Sequence, residues 1–258
     1  MFERIHNSVH IEKTAGTSLL DVYNQMYGAE KVLHFNPSTG MFHRSSDTKM
    51  LDKYGLFDQI KYRYSDSPWF PIYIILYRKL MSIGHQEQPL ENFSDYKVIH
   101  GHFTAGQFRD IIPNAFMTVI MREPLDRMKS HYFNWKRVKG RTNWRINITY
   151  RPEMSFEEFA MLESLRNYQT QSLLEIPLNN FTVIGVSSNL ERYYQQLRMY
   201  TGFEGNISIP MFNRSPKQTS NVLCPSDDFI REFRAYHALD YENYSKALDF
   251  SYRGKVLP

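Results

Sequence analysis

Between an apolar run and a helical pattern, Glu12-Lys13-Thr14-Ala15-Gly16-Thr17-Ser18 gathers a lysine, a small flexible pair and two hydroxyls. The first backbone N–H groups of a helix have no intrahelical partner and lie at the positive end of its dipole, so such a loop can hold a phosphate or sulfate. Gly16 allows close backbone approach, Lys13 adds a mobile charge, and Thr17 and Ser18 add donors. The same residue types also fit a plain turn with a solvated lysine; the position between strand and helix favours a site. Nucleotide-hydrolase loops need two glycines five apart followed by Lys and Ser or Thr, whereas here Lys13 precedes the glycine. A second apolar run, 115–121, ends in Arg122 rather than in an aspartate able to hold Mg²⁺. An arginine there repels a metal ion and attracts an anion, unless Glu123 simply pairs with it. Two separated anion positions without a metal are therefore expected. A third run ends in His100-Gly101-His102. Strand alternation puts both imidazoles on one face, at the edge where open α/β sheets collect ligands. They fit a proton acceptor, a hydrogen-bonded structural pair or, less well, a metal site lacking its third ligand.

The elements that must carry these residues follow a strand-then-helix grammar. Strands are expected at 8–11, 97–103, 115–121 and 181–186, all continuous apolar runs suited to burial on both faces. His10 falls on the first of them and is read as packed. Leu19, Val22, Tyr23 and Met26 define a helix ending at Gly28. Pro124 fits the first turn of a helix carrying Leu125, Met128, Tyr132 and Trp135, and Asn189 can cap one running to Gly202. Ser155 with Glu158 forms a capping-box pattern that predicts a helix through about Leu174. Residues 29–92 lack clean periodicity and are read as an irregular insertion with some helix, inside a single domain spanning 1–258.

The chain has 258 residues, 42% hydrophobic and 22% charged, enough for a full core and unlike a disordered or low-complexity sequence. One cysteine, Cys224, gives neither an internal disulfide nor a thiolate metal site, so a reducing, cytoplasmic setting is expected. The net charge of +4 favours anionic ligands without demanding nucleic acid. No leader or transmembrane stretch is expected, since the apolar segment 69–77 contains Pro71 and is far too short to span a bilayer. That segment fits a lid, an interfacial contact or a core helix. The run 136–145, basic with Trp144, fits either an acceptor contact or a solvated helix end.

His10 to Ser18 resembles the 5′-phosphosulfate loop of sulfotransferases that use PAPS (3′-phosphoadenosine-5′-phosphosulfate), especially the carbohydrate group that includes the heparan sulfate 2-O- and 6-O-sulfotransferases. Arg122-Glu123-Pro124-Leu125-Asp126-Arg127-Met128-Lys129-Ser130 resembles that family's 3′-phosphate segment, and Ile99 to Phe103 its His-Gly-His strand end. Weaker family-like features lie at 167–169, 184–186, 213–215 and 240–244. Many relatives have Gly where this chain has Ala15. Golgi members carry a membrane anchor and several cysteines, so a soluble bacterial-type relative is expected.

The resemblance implies a three-layer, P-loop-like α/β fold with a central, mostly parallel sheet flanked by helices. It implies metal-independent, in-line sulfuryl transfer from PAPS to a hydroxyl, expected on a sugar or polysaccharide, with adenosine 3′,5′-bisphosphate as product. Lys13, Thr14, Ala15, Gly16, Thr17 and Ser18 would hold the 5′ side, and Arg122 and Ser130 the 3′-phosphate, with Ser215 and Lys217 as second contacts beside Asn213 and Arg214. His102 would be the general base and His100 its helper, with Lys13 stabilising charge on the leaving oxygen. The competing readings are a P-loop-type small-molecule kinase using ATP and Mg²⁺, and a non-catalytic polyanion-binding module.

Overall fold

The computed structural model describes residues 4–36, 41–46, 90–137, 151–174, 176–208 and 223–253. Its centre is a six-stranded sheet of β1 (His6–Val9), β2 (Val32–Asn36), β3 (Met41–Arg44), β4 (Val98–Gly101), β5 (Phe116–Met121) and β6 (Val183–Val186), in the order β3-β2-β4-β1-β5-β6. All neighbours run parallel except the edge pair of β2 and β3. Helices α1 (Gly16–Tyr27) and α5 (Leu190–Thr201) cover one face; α2 (Pro124–Arg137), α3 (Phe156–Ala160), α4 (Tyr168–Ser172), α6 (Asp227–Tyr236) and α7 (Ala238–Arg253) contribute to the other. This is the three-layer α/β architecture expected.

Alternation sorts each strand between two cores. Val9, Ile99, Val119, Met121, Ile184 and Val186 pack with Trp135, Phe159, Tyr168 and Phe233. Val98, Ile120 and Val183 pack with Leu19, Val22, Tyr23, Met26, Tyr193 and Leu197, joining α1 and α5. Two glycines are required by close approach. A Cβ on Gly101 would lie 2.5 Å from the Phe35 carbonyl oxygen, and one on Gly185 would lie 2.5 Å from the Tyr193 ring. Gly101 thus lets β4 end hard against β2, and Gly185 lets α5 settle on β6.

Helix ends follow the expected chemistry. The Asn189 side chain accepts from the Arg192 N–H, and Ser155 and Glu158 close a reciprocal capping box. The helix expected to run from Ser155 to about Leu174 is divided, however. It stops at Ala160, a 3-10 turn spans Glu163–Leu165, and α4 restarts at Tyr168 after Asn167 adopts φ 50°. Leu162 and Arg166 are extended, which turns α4 towards the sheet edge. Two strands, β2 and β3, fall inside the stretch read as an irregular insertion. Leu33 and Phe35 are buried on one face of β2 while Val32 and His34 face the other, a pattern that the polar His34 and Asn36 disguise. Among the described residues, no helix is long and apolar enough to cross a membrane.

Candidate active site

The three chemical segments converge because β4, β1 and β5 are adjacent and parallel, so their C-terminal ends share one edge. The chain leaves β1 at His10, whose N–H donates to the Gly101 carbonyl at 2.9 Å. The buried Thr14 hydroxyl donates back to the Ile11 carbonyl at 2.8 Å, closing the turn. Lys13 and Ala15 both adopt left-handed backbone, at φ 70° and 85°, before α1 begins at Gly16. A left-handed residue followed by a right-handed one turns successive N–H groups towards one concave side, the arrangement that cradles oxyanions. Burial lowers the Lys13 pKa; Glu12 opposes the shift, and Arg137, Arg122 and Arg127 add to it. Several cations crowded at one helix start make a site that gains from an anion.

Arg122, at the tip of β5, donates from its guanidinium to the Lys13 carbonyl at 3.2 Å. The loop and the second basic segment therefore touch directly. Burial lowers the Arg122 pKa against the opposing fields of Asp126, Glu123 and Tyr244. Its backbone is held by Gln169, which is 0% exposed: the Arg122 N–H donates to Gln169 Oε1 and Gln169 Nε2 donates to the Arg122 carbonyl, each at 2.9 Å. Asp240, 1% exposed on α7, accepts from the Gln169 and Thr170 N–H groups and the Thr170 hydroxyl, fixing the start of α4. Glu123 accepts from the Tyr241 hydroxyl at 2.9 Å and from the Asp126 N–H at 2.6 Å. Ser130 lies half-buried on α2, eight residues beyond Arg122.

A second strut holds the loop from below. The Arg127 guanidinium, 1% exposed and 4.8 Å over the Tyr168 ring, donates to His131 Nδ1 at 3.3 Å. His131 must then carry its proton on Nε2, which lies 3.3 Å from Glu12 Oε2. Burial, reinforced by Arg127, Lys13 and His102, pushes the His131 pKa well below its usual value, so the contact is a neutral N–H to a carboxylate.

On the other side of β1 stands a group of imidazoles. His102 Nδ1 lies 2.8 Å from the His10 carbonyl, which can only accept, so the proton sits on Nδ1 and the lone pair on Nε2. The His10 ring stacks on His102 at 4.0 Å and on His100 at 5.0 Å between centroids. His34 pairs in register with His100 on one side and His43 on the other. Burial lowers the pKa of His34 to about 4, aided by His102 and His43. It lowers that of His10 well below its usual range, aided by His102, His100, His34 and Lys13. Among the described residues no group of three or more His, Cys, Asp or Glu is arranged to hold a metal ion.

Lys13, Thr14, Ala15, Gly16, Ser18, Arg122, His100 and His102 thus share one sheet edge, with Thr17 in the first turn of α1 and Ser130 further along α2. Because β4 ends at Gly101, His102 lies past the strand and meets His100 through the ring of His10 rather than by alternation alone. His10, expected to pack on the first strand, lies just beyond β1 and between the two. Ser215, Lys217, Asn213, Arg214, the 69–77 segment and 138–145 of the basic run lie outside the described residues. Gln169, Asp240, Arg127, His131, Ser8 and Tyr23 were not among the expected site residues. Gln169 and Asp240 fall in the family-like segments at 167–169 and 240–244 and Arg127 in the 122–130 segment, none with a role attached, while Ser8 and Tyr23 were read only as parts of the first strand and helix.

No protein-family model matches this chain, and no curated protein matches it. A crystal structure of a sulfotransferase from Alicyclobacillus acidocaldarius is similar over 95% of this chain and 94% of its own, at 18% identity and a TM-score of 0.43.

Proposed function

We propose that this protein transfers a sulfuryl group from PAPS to an acceptor hydroxyl, carried by a sugar or polysaccharide. The observation that carries the reading is the direct bond from Arg122 to the Lys13 carbonyl, which joins two basic anion positions at neighbouring strand tips. The residues fit the donor nucleotide. A left-handed to right-handed turn at Ala15 and Gly16 aims N–H groups outward beside Lys13, which suits the 5′-phosphosulfate. Arg122 and Ser130 suit a phosphate set apart from it. Bound PAPS would supply an activated sulfuryl group with a phosphate as leaving group. Lys13 would then stabilise negative charge on the departing oxygen, since preorganised charge at that point lowers the barrier. His102, with its lone pair on Nε2, would take the proton of the acceptor hydroxyl.

The test is calorimetric binding of adenosine 3′,5′-bisphosphate in EDTA, with AMP and ATP as controls. The expected result is metal-independent binding selective for the 3′-phosphate, weakened by Arg122→Ala much more than AMP binding is. Equal losses for both nucleotides, or binding of ATP with Mg²⁺ only, would overturn the reading. With PAPS and a sugar acceptor, His102→Ala should lower kcat by about 10²-fold or more while nucleotide affinity stays within a few-fold.

A further inference from the structure

The sheet face beneath α1 carries a row of buried polar groups that the proposed reaction has not used. Ser8 is the register partner of His100 on one side and of Thr118 on the other, so the three side chains lie together under Tyr23. Ser8, Tyr23, Thr118 and His100 are all buried, which removes water as a competing partner. The Tyr23 hydroxyl donates to Ser8 Oγ at 2.8 Å. It has one proton, and Ser8 takes it. Tyr193 OH lies 3.2 Å from Tyr23 and fits as the donor to it. Burial raises the pKa of Tyr23 well above its usual value and that of Tyr193 to about 12, so both stay protonated. Ser8, having accepted from Tyr23, turns its own proton to the atom 3.0 Å away, His100 Nδ1.

We propose that Ser8 and Tyr23 are positioning residues that hold His100 in the tautomer with its proton on Nε2, making it a hydrogen-bond donor. His102 is held in the opposite tautomer by the His10 carbonyl. The two histidines are thereby held in opposite tautomers: His102 keeps a lone pair on Nε2, while His100, itself buried, is fixed beside the His10 ring that stacks on both. A buried relay achieves this without a charge, since each hydroxyl passes on a single proton and the 2.8 Å bond from Tyr23 to Ser8 sets the direction. The catalytic consequence rests on the sulfuryl-transfer reading; the tautomer itself does not.

The experiment is a long-range ¹H–¹⁵N correlation spectrum of the labelled protein at pH 7.5, with His100 signals identified by their loss in His100→Gln. The expected spectrum shows Nδ1 as an unprotonated ring nitrogen and Nε2 as a protonated one. Ser8→Ala should move His100 to the other tautomer or to an average of both, and Ser8→Thr should restore the wild-type pattern. Tyr23→Phe should give the averaged pattern. In turnover, Ser8→Ala should lower kcat by about tenfold, with KM for PAPS within about threefold and recovery in Ser8→Thr. His100 protonated on Nδ1 in the wild type, or unmoved in Ser8→Ala, would overturn the relay; the wild-type spectrum decides even if a variant fails to fold. The expected tautomer together with an unchanged kcat in Ser8→Ala would overturn the positioning role. The expected tautomer in a protein that does not transfer sulfuryl groups would overturn the function and leave the relay standing.

Discussion

Replacing Gln169 by leucine tests whether the Arg122 backbone is held as the geometry implies. The fully buried Gln169 amide satisfies both the N–H and the C=O of Arg122, each at 2.9 Å. Leucine has nearly the same volume, so the cavity cost is small and the loss is that of two hydrogen bonds. A buried peptide group left without its partner costs about 1–3 kcal/mol. Arg122 is half-buried, so water recovers part of this, and the expected loss for the pair is about 2–4 kcal/mol. At a urea slope of about 3 kcal/mol/M the unfolding midpoint should fall by about 1 M. Gln169→Glu separates the two bonds. It keeps an acceptor for the Arg122 N–H but sets a carboxylate oxygen against the Arg122 carbonyl, so its penalty should shrink as pH falls and the carboxyl regains a donor. Calorimetry should show adenosine 3′,5′-bisphosphate losing more affinity than AMP in Gln169→Leu, because the guanidinium grows from the loosened backbone. An unfolding free energy within about 0.5 kcal/mol of wild type would refute the reasoning.

Ala15 sits at φ 85°, where a Cβ is strained, so Ala15→Gly should raise stability by about 0.5–1 kcal/mol, seen as a higher urea midpoint. An unchanged or lower midpoint would mean that the loop carries no such strain. His34 titrates at about 4 in the fold against 6.5 when free, so the unfolded chain binds the extra proton between those values. Stability should therefore be full above about pH 6.5 and fall towards pH 4, with His34 contributing a loss on the order of 3 kcal/mol. His34→Phe should flatten that part of the profile, and an equal slope in the variant would remove His34 as its source. Ser155→Ala should cost about 1 kcal/mol by opening the capping box, with less effect on nucleotide binding than Gln169→Leu has.

Local chemistry made part of this structure legible in advance. Pro124 at a helix start, the 3.6 period of Leu19, Val22, Tyr23 and Met26, and the Asn189 cap each act within one turn of chain, so residue types alone locate those helices. Three of the four apolar strands were legible for the same reason, whereas β1 runs over His6–Val9, two residues before the 8–11 run expected, because its polar His6, Asn7 and Ser8 are buried by neighbouring strands and helices. The supports were not. Gln169 meets Arg122 across 47 residues and Asp240 meets Gln169 across 71, and nothing in either neighbourhood encodes those distances. The break between α3 and α4 has the same origin, since the capping box predicts a start but the stop is set by where α7 needs α4 to lie. In β2, His34 hides a strand because its burial depends on imidazoles contributed by β3 and β4.

The position of β1 would let one short loop serve both of the roles proposed for it. On its β5 side, Lys13 gives its carbonyl to Arg122 and its charge to the basic cluster. On its β4 side, three residues earlier, His10 gives its carbonyl to His102 and its ring to both histidines. Glu12, between them, is tied to His131 and through it to the buried Arg127. The anion positions and the imidazoles are therefore fixed to one segment, 10–13, and cannot shift independently of one another. The proposed in-line transfer would need that coupling: the group leaving and the group attacking lie on opposite sides of the atom transferred, and small errors in their spacing are costly in rate. A change that loosens this segment, such as His131→Phe, should for that reason weaken nucleotide binding and lower kcat together, whereas changes confined to His100 or His102 should act on kcat alone.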